Sequence, residues 1–169
     1  MRPELRVRDA RVQDAPAVAA IYAHAVLHET GTFEEVPPDA VEIARRMGEV
    51  QAQGCPYVVV EAAAGRVLAF GYAVPFRPRS AYRFTAETSV YVAHDAKGQG
   101  CGRAVLEALV ERSRERGATE MLAVIGDSQN QASIALHRAL GFQVTGGFQR
   151  VGFKFGRWLD VVFMQRSLG

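Results

Sequence analysis

The chain has 169 residues, enough for one domain with a substantial core. Its residues are 49% apolar and its formal net charge is +2, an ordinary globular composition without the broad basic face of a nucleic-acid binder.

Leu5 to Arg8 alternates like a short first strand. Asp14 is placed to cap a helix that tolerates Pro16 in its first turn, and Val18, Ile21, Tyr22, Ala25 and Val26 recur at helical spacing. Pro37-Pro38-Asp39 restarts the chain into a second helix ending near Gly54. Tyr57 to Glu61 and Arg66 to Val74 read as a hairpin turning at Ala63-Ala64-Gly65, followed by an arginine- and proline-rich loop from Pro75 to Ala81. Phe84 to Val92 is a fourth strand. It runs through a glycine-rich loop into a helix from about Arg103 to Arg116, which places Val105, Leu106, Leu109 and Val110 on one face. Glu120 to Ile125 is a buried-type strand, and Asn130 to Leu140 a helix that Gly141 terminates. Two last strands lie near Phe142 to Val151 and Trp158 to Arg166. Without a repeat or a linker, one α/β domain around one sheet is the economical reading.

The run Lys97-Gly98-Gln99-Gly100-Cys101-Gly102-Arg103 carries the chemistry. Glycines at alternate positions let a backbone curl with its N–H groups inward at a helix start, the physical form of a phosphate or pyrophosphate site. A Walker A loop is excluded, because Arg103 stands where lysine and serine or threonine are required. A dinucleotide fingerprint fails at the same arginine and lacks a well-placed acidic ribose partner.

That loop, with Asn130 opening a helix that ends at Leu140-Gly141-Phe142, resembles the paired signatures of the GNAT N-acetyltransferase superfamily. The Leu136-His137 pair, the Tyr22-x-His24-x-Val26 and Thr32-Phe33-Glu34 segments, and Gly152 to Asp160 resemble its phosphinothricin and methionine sulfoximine acetyltransferase branch. The resemblance implies a mixed, mostly antiparallel sheet of about seven strands with about four helices, filling residues 1–169. It also implies acetyl-coenzyme A as cosubstrate and a small amino acid analogue as acceptor. Val90, Tyr91 and Val92 would take the pantetheine arm along the strand edge. Gly98, Gln99, Gly100, Cys101, Gly102 and Arg103 would hold the pyrophosphate, and Asn130 the arm or acetyl end.

The acceptor ammonium must lose a proton and the departing thiolate gain one. Glu87, on the face of its strand shared with Thr85, Ser89 and Tyr91, is the candidate base. His137 stands where many superfamily members carry tyrosine, and imidazole titrates near neutrality. The substrate-facing set implied by the resemblance is Phe33, Glu34, Arg77, Arg79, Glu87, Thr88, Ser89 and Lys154. The two arginines would grip oxyanions, and Lys154 could act across a homodimer interface. Competing readings are acetylation of another amine and a non-catalytic acyl-coenzyme A sensor.

His24 and His28 lie one helical turn apart without a third ligand in the sequence, so no metal is expected. Cys55 and Cys101 suggest neither a disulfide framework nor a zinc site. The apolar run from Ala15 to Leu27 is too short for a bilayer and is interrupted by Tyr22 and His24. A cytoplasmic protein, with no nucleic-acid or membrane partner, is the resulting expectation.

Overall fold

Seven strands form one sheet in the order β1-β2-β3-β4-β5-β7-β6, in a computed structural model that describes residues 4–169. The strands are β1 (Leu5–Asp9), β2 (Tyr57–Ala62), β3 (Val67–Pro75), β4 (Thr85–Val92), β5 (Glu120–Gly126), β6 (Gln143–Lys154) and β7 (Arg157–Ser167). Four helices accompany them: α1 (Ala15–His28), α2 (Ala40–Ala52), α3 (Cys101–Glu115) and α4 (Gln131–Ala139). Every neighbouring pair of strands is antiparallel except β4 and β5, which run parallel. The sheet is therefore mixed and mostly antiparallel, as the family resemblance implied.

Side-chain alternation assigns the helices to opposite faces of the sheet. Phe70 and Tyr72 of β3 and Tyr91 of β4 turn toward α1 and α2, where Tyr22 meets Tyr91 edge-on at 5.0 Å and Tyr57 stacks on Tyr72 at 5.1 Å. Gly71, between Phe70 and Tyr72, faces α3. A Cβ there would stand 2.4 Å from Val105 Cγ1 and 2.6 Å from the Ser89 carbonyl oxygen, so only glycine lets this helix lie so close to the strand. Val58, Val59, Phe70, Leu106, Leu109, Met121 and Met164 are fully buried in the core built around that contact.

Local chemistry departs from the sequence reading at two helix starts. The Asp14 carboxylate does not cap α1. It accepts two bonds from the Arg8 guanidinium, at 2.8 and 2.9 Å, and one from the Arg11 backbone N–H at 2.7 Å. Arg8 also reaches Glu61 at 2.9 Å, so this cluster joins β1, β2 and the entry to α1, and the Arg8 contact holds the Asp14 carboxyl below its usual range. Helix α3 begins at Cys101, two residues before the expected Arg103, which brings its first turn into the glycine loop itself. The β6–β7 hairpin turns on Phe155 and Gly156, both at positive φ, a conformation that matches the twist of its strands.

Candidate active site

The parallel ladder between β4 and β5 stops early. It pairs Thr85 to Thr88 with Glu120 to Ala123, while β4 continues to Val92 along β3 and β5 continues to Gly126 along β7. Beyond Thr88 and Ala123 the two strands part. Between them lies a cavity of about 440 Å³, lined by Thr88 to Val92 on one side and Ala123 to Gly126 on the other. The outer edge of β4 therefore has no strand partner from Ser89 onward, and its amides and carbonyls face the cavity. An extended, amide-bearing ligand could satisfy them as an added strand would.

At one end of the cavity stands the start of α3. Gly98 and Gly100 sit at φ 75° and 89°, left-handed conformations that glycine adopts without steric cost. Gly100 is the N-cap residue, and no side chain caps the first-turn amides of α3. These N–H groups and the positive end of the helix dipole are thus available to an anion. Gly98, Gly100, Cys101, Gly102 and Arg103 all line the cavity. The Gln99 side chain turns back to the Asp95 carbonyl oxygen at 3.1 Å, leaving only its backbone to the loop. Arg103 pairs with Glu107 one turn along at 2.8 Å. Cys101 is buried, and that burial pushes its thiol pKa up, so it packs as a small apolar side chain.

Helix α4 supplies the opposite wall. Asn130 Oδ1 accepts the Ser133 backbone N–H at 3.2 Å and so caps the helix, which leaves its Nδ2 donors for a ligand carbonyl. His137 is only 4% exposed and lines the same cavity. Its Nδ1 donates to the Ser133 carbonyl at 2.7 Å in the neutral tautomer that this bond selects, making Nε2 an acceptor. Burial lowers the His137 pKa, and the Ser133 bond only partly opposes that. The ring is therefore predominantly neutral at neutral pH and suits an accepting role better than proton donation.

Glu87 occupies the other face of β4. It is half-buried beside Val74 of β3 and Leu122 of β5, and burial raises its pKa while the Arg77 charge partly opposes the rise. A carboxylate tuned upward in this way is a better base near neutrality than a solvated one. Thr88, the next residue, points into the cavity, where its Oγ1 is buried without a hydrogen-bond partner. Glu87 and Thr88 thus lie back to back, on opposite sides of the strand at which the splay begins.

The remaining candidates do not converge on one point. Phe33 packs against Gly126 and Gly152, where an added Cβ would stand 2.9 and 2.4 Å from its ring. Glu34 pairs with Arg46 of α2 at 2.6 Å. Arg77 is exposed, its guanidinium 4.7 Å above the Phe76 ring, and Arg79 is an exposed residue opening a short turn at Ser80–Tyr82. Lys154 is 2% exposed, and its Nζ donates to the Glu29 and Thr32 carbonyl oxygens, both at 2.8 Å within the same chain. The structure gives it the work of pinning the β6–β7 hairpin to the segment after α1.

Asp127, beside the cavity-lining Gly126, is a structural residue the sequence reading missed. Its carboxylate accepts from Thr30 Oγ1 at 2.6 Å, from the Gln129 backbone N–H at 3.0 Å and from Arg157 at 3.0 Å. Burial would raise its pKa, but these donors outweigh it and hold the group ionised below the usual range. Asp127 sits at φ 71°, between β5 and α4, and joins the segment after α1 to the start of β7 beside the cavity-lining Gly126. Thr30 lies 97 positions away in the chain, so no local signal could have revealed the contact.

Residues 7–163 match the family described as acetyltransferase (GNAT) domain. The chain belongs to the GNAT acetyltransferase family. It is 51% identical to a phosphinothricin N-acetyltransferase of Alcaligenes faecalis over 162 residues, covering 96% of this chain and 82% of that protein. It is 46% identical to an L-methionine sulfoximine/L-methionine sulfone acetyltransferase of Pseudomonas paraeruginosa, covering 96% and 94% of the two chains. The crystal structure of a GNAT phosphinothricin acetyltransferase from Sinorhizobium meliloti in complex with acetyl-coenzyme A superposes with a TM-score of 0.94 at 45% identity. That match covers 100% of this chain and 90% of the other.

Replacing Lys154 with Met should orphan the buried Thr32 and partly buried Glu29 carbonyls and destabilise the fold by about 2–4 kcal/mol, visible as a lowered Tm. An unchanged Tm with a raised amine KM would instead make Lys154 a substrate contact.

Proposed function

We propose that this protein transfers an acetyl group from acetyl-coenzyme A to the α-amine of a small amino acid analogue such as methionine sulfoximine, methionine sulfone or phosphinothricin. The observation that carries this reading is the placement of Glu87 and the uncapped α3 turn on opposite sides of one parted strand. The residues fit the cosubstrate on three counts. A diphosphate matches free first-turn amides between left-handed glycines, an amide-bearing arm matches the open edge of β4, and Asn130 retains donors for a carbonyl. Bound acetyl-coenzyme A would supply an activated thioester.

The chain's own residues do the rest. Gly98 to Arg103 hold the anionic end, and Ser89 to Val92 fix the arm so that its acyl carbon lies in the gap between the strands. The amine enters from the face shared by Glu87, Ser89 and Tyr91, at its Glu87 end and short of Tyr91, whose ring packs under α1. Glu87 takes the ammonium proton, directly or through water, and frees the lone pair for attack. The amine nitrogen then bonds to the acyl carbon as the thioester C–S bond breaks, and the second proton it sheds passes, directly or through water, to the departing thiolate, which leaves as the thiol. Neutral His137, with Nε2 as acceptor, lies on the cofactor side. Arg77, beside Glu87, offers a cationic group to the acceptor's sulfoximine, sulfone, phosphinate or carboxylate oxygens. The groups proposed for the acceptor are thus Glu87, Arg77 and the Ser89 side chain, whose backbone serves the arm, with Phe33 and Glu34 at the rim. Several relatives bear names for such acceptors, including the Alcaligenes faecalis and Pseudomonas paraeruginosa proteins.

The same reading includes a homodimer. Strand β6 is a long edge whose Val144, Phe148, Val151 and Phe153 are exposed, with Phe155 and Trp158 beside them on the hairpin. An apolar edge of this length invites pairing, and a second copy would cover it. We place the protein in the cytoplasm; no helix among the described residues is long and apolar enough to cross a membrane.

Thiol release from acetyl-coenzyme A should appear with methionine sulfoximine, methionine sulfone and phosphinothricin. Turnover with spermidine alone would overturn the acceptor class, and none with any amine would favour a sensor. Glu87→Gln should lower kcat/KM by about 10²-fold and flatten the acid limb of the pH profile. The sign follows from the raised pKa: wild-type activity is lost as pH falls through that value, which lies above an ordinary glutamate's. A variant with the wild-type limb would remove Glu87 from the base role. Sedimentation should give a dimer that the double variant Val151→Glu, Phe153→Glu dissociates, and a monomeric wild type would refute the β6 interface.

A further inference from the structure

The histidine pair singled out in the sequence has a third and a fourth neighbour that the spacing could not reveal. His24 of α1, Glu29 just beyond α1 and His94 after β4 place one ligand atom each within 4.8 Å of one another. The His24 and His94 rings stack at 4.5 Å, 17° from parallel, while His28 contacts His24 edge-on at 4.8 Å without joining the group. Nδ1 of His24 is buried and has no hydrogen-bond partner. An unpartnered buried nitrogen is costly in a fold that satisfies nearly all its polar groups.

We propose that His24, Glu29 and His94 form a binding site for a divalent transition-metal ion of the zinc class. Two imidazoles and a carboxylate are a donor set that borderline ions favour, leaving a fourth position for water. Ligand atoms around a tetrahedral zinc lie about 3.3 Å apart, given bonds of about 2.0 Å. The present spread is wider, so His94 and Glu29 must rotate inward. His94 is exposed and Glu29 half-buried, so both have room to do so. The negative end of α1 adds a favourable field, since Glu29 is the residue that closes that helix.

Occupation would have a consequence at the active site. Glu29 pairs with Lys97, the residue that opens the glycine loop, and both line the cavity. A metal ion that takes the Glu29 carboxylate competes with Lys97 for it. The released ammonium, on the rim of the anion site, then becomes available to a diphosphate. This coupling rests on the glycine loop being the diphosphate site, whereas the metal site does not. By linkage, metal and acetyl-coenzyme A would each strengthen the other's binding.

The test is calorimetric titration of the full chain with zinc chloride in a non-chelating buffer. A single saturable site should appear, weakened at least about tenfold by His94→Ala or Glu29→Gln and changed less than about threefold by His28→Ala. Circular dichroism melts would confirm that the exposed His94→Ala variant is folded. No saturable binding, or wild-type affinity in the His94→Ala protein, would overturn the site. Acetyl-coenzyme A titrated with and without saturating zinc should bind several-fold more tightly with the metal in wild type and equally in His94→Ala. Equal affinity in wild type would overturn the coupling. Failure of acetyl-coenzyme A to bind either with or without zinc would count against the cofactor site and leave the metal result standing.

Discussion

The structure turns on where a parallel ladder ends. Hydrogen bonds hold β4 against β5 only as far as Thr88 and Ala123, and past that point each strand keeps a partner on one side alone. Backbone donors and acceptors inside a protein must be satisfied. The open edge from Ser89 to Val92 therefore creates a demand that an extended ligand with its own amides can meet. The cavity and the position of the glycine loop take their meaning from that gap.

Around it the fold separates two kinds of work. On the α3 and α4 side, uncapped helix amides, Asn130 and neutral His137 offer donors and acceptors without a full charge aimed at the reacting centre. On the α1 and α2 side, Glu87 supplies a basic carboxylate whose proton affinity burial raises and Arg77 restrains. A single β-strand divides them because adjacent residues of a strand point to opposite faces. Glu87 and Thr88 can serve different ligands while being covalent neighbours.

The surrounding loops are held by contacts between distant segments. Lys154 joins the late hairpin to the Glu29–Thr32 segment, and Asp127 joins Thr30 to Arg157. Both groups are buried and charged, and both are satisfied by several partners, which keeps the rim of the cavity in one arrangement. That explains why Lys154, which the family resemblance assigned to the substrate, is committed to backbone carbonyls. The same physics revises Asp14, whose proximity to a helix start suggested a cap but whose carboxylate is taken by Arg8.

Much of the fold and of the candidate cofactor site was legible in the chain. Alternation located the strands, 3.6-residue spacing the helices, and Gly98, Gly100, Gly102 and Asn130 marked the glycine loop before α3 and the start of α4, because these signals are local backbone requirements. The polarity of Glu87's face also followed from strand period. What remained hidden were relations between segments: the point at which β4 and β5 part, the neutral state imposed on His137 by burial, the commitment of Lys154 and Asp127, and the meeting of His24 with His94. Periodicity and turn chemistry act over a few residues and so are written in the sequence. Burial, pKa and long-range pairing depend on which distant groups the chain packs together, and only the tertiary structure decides that.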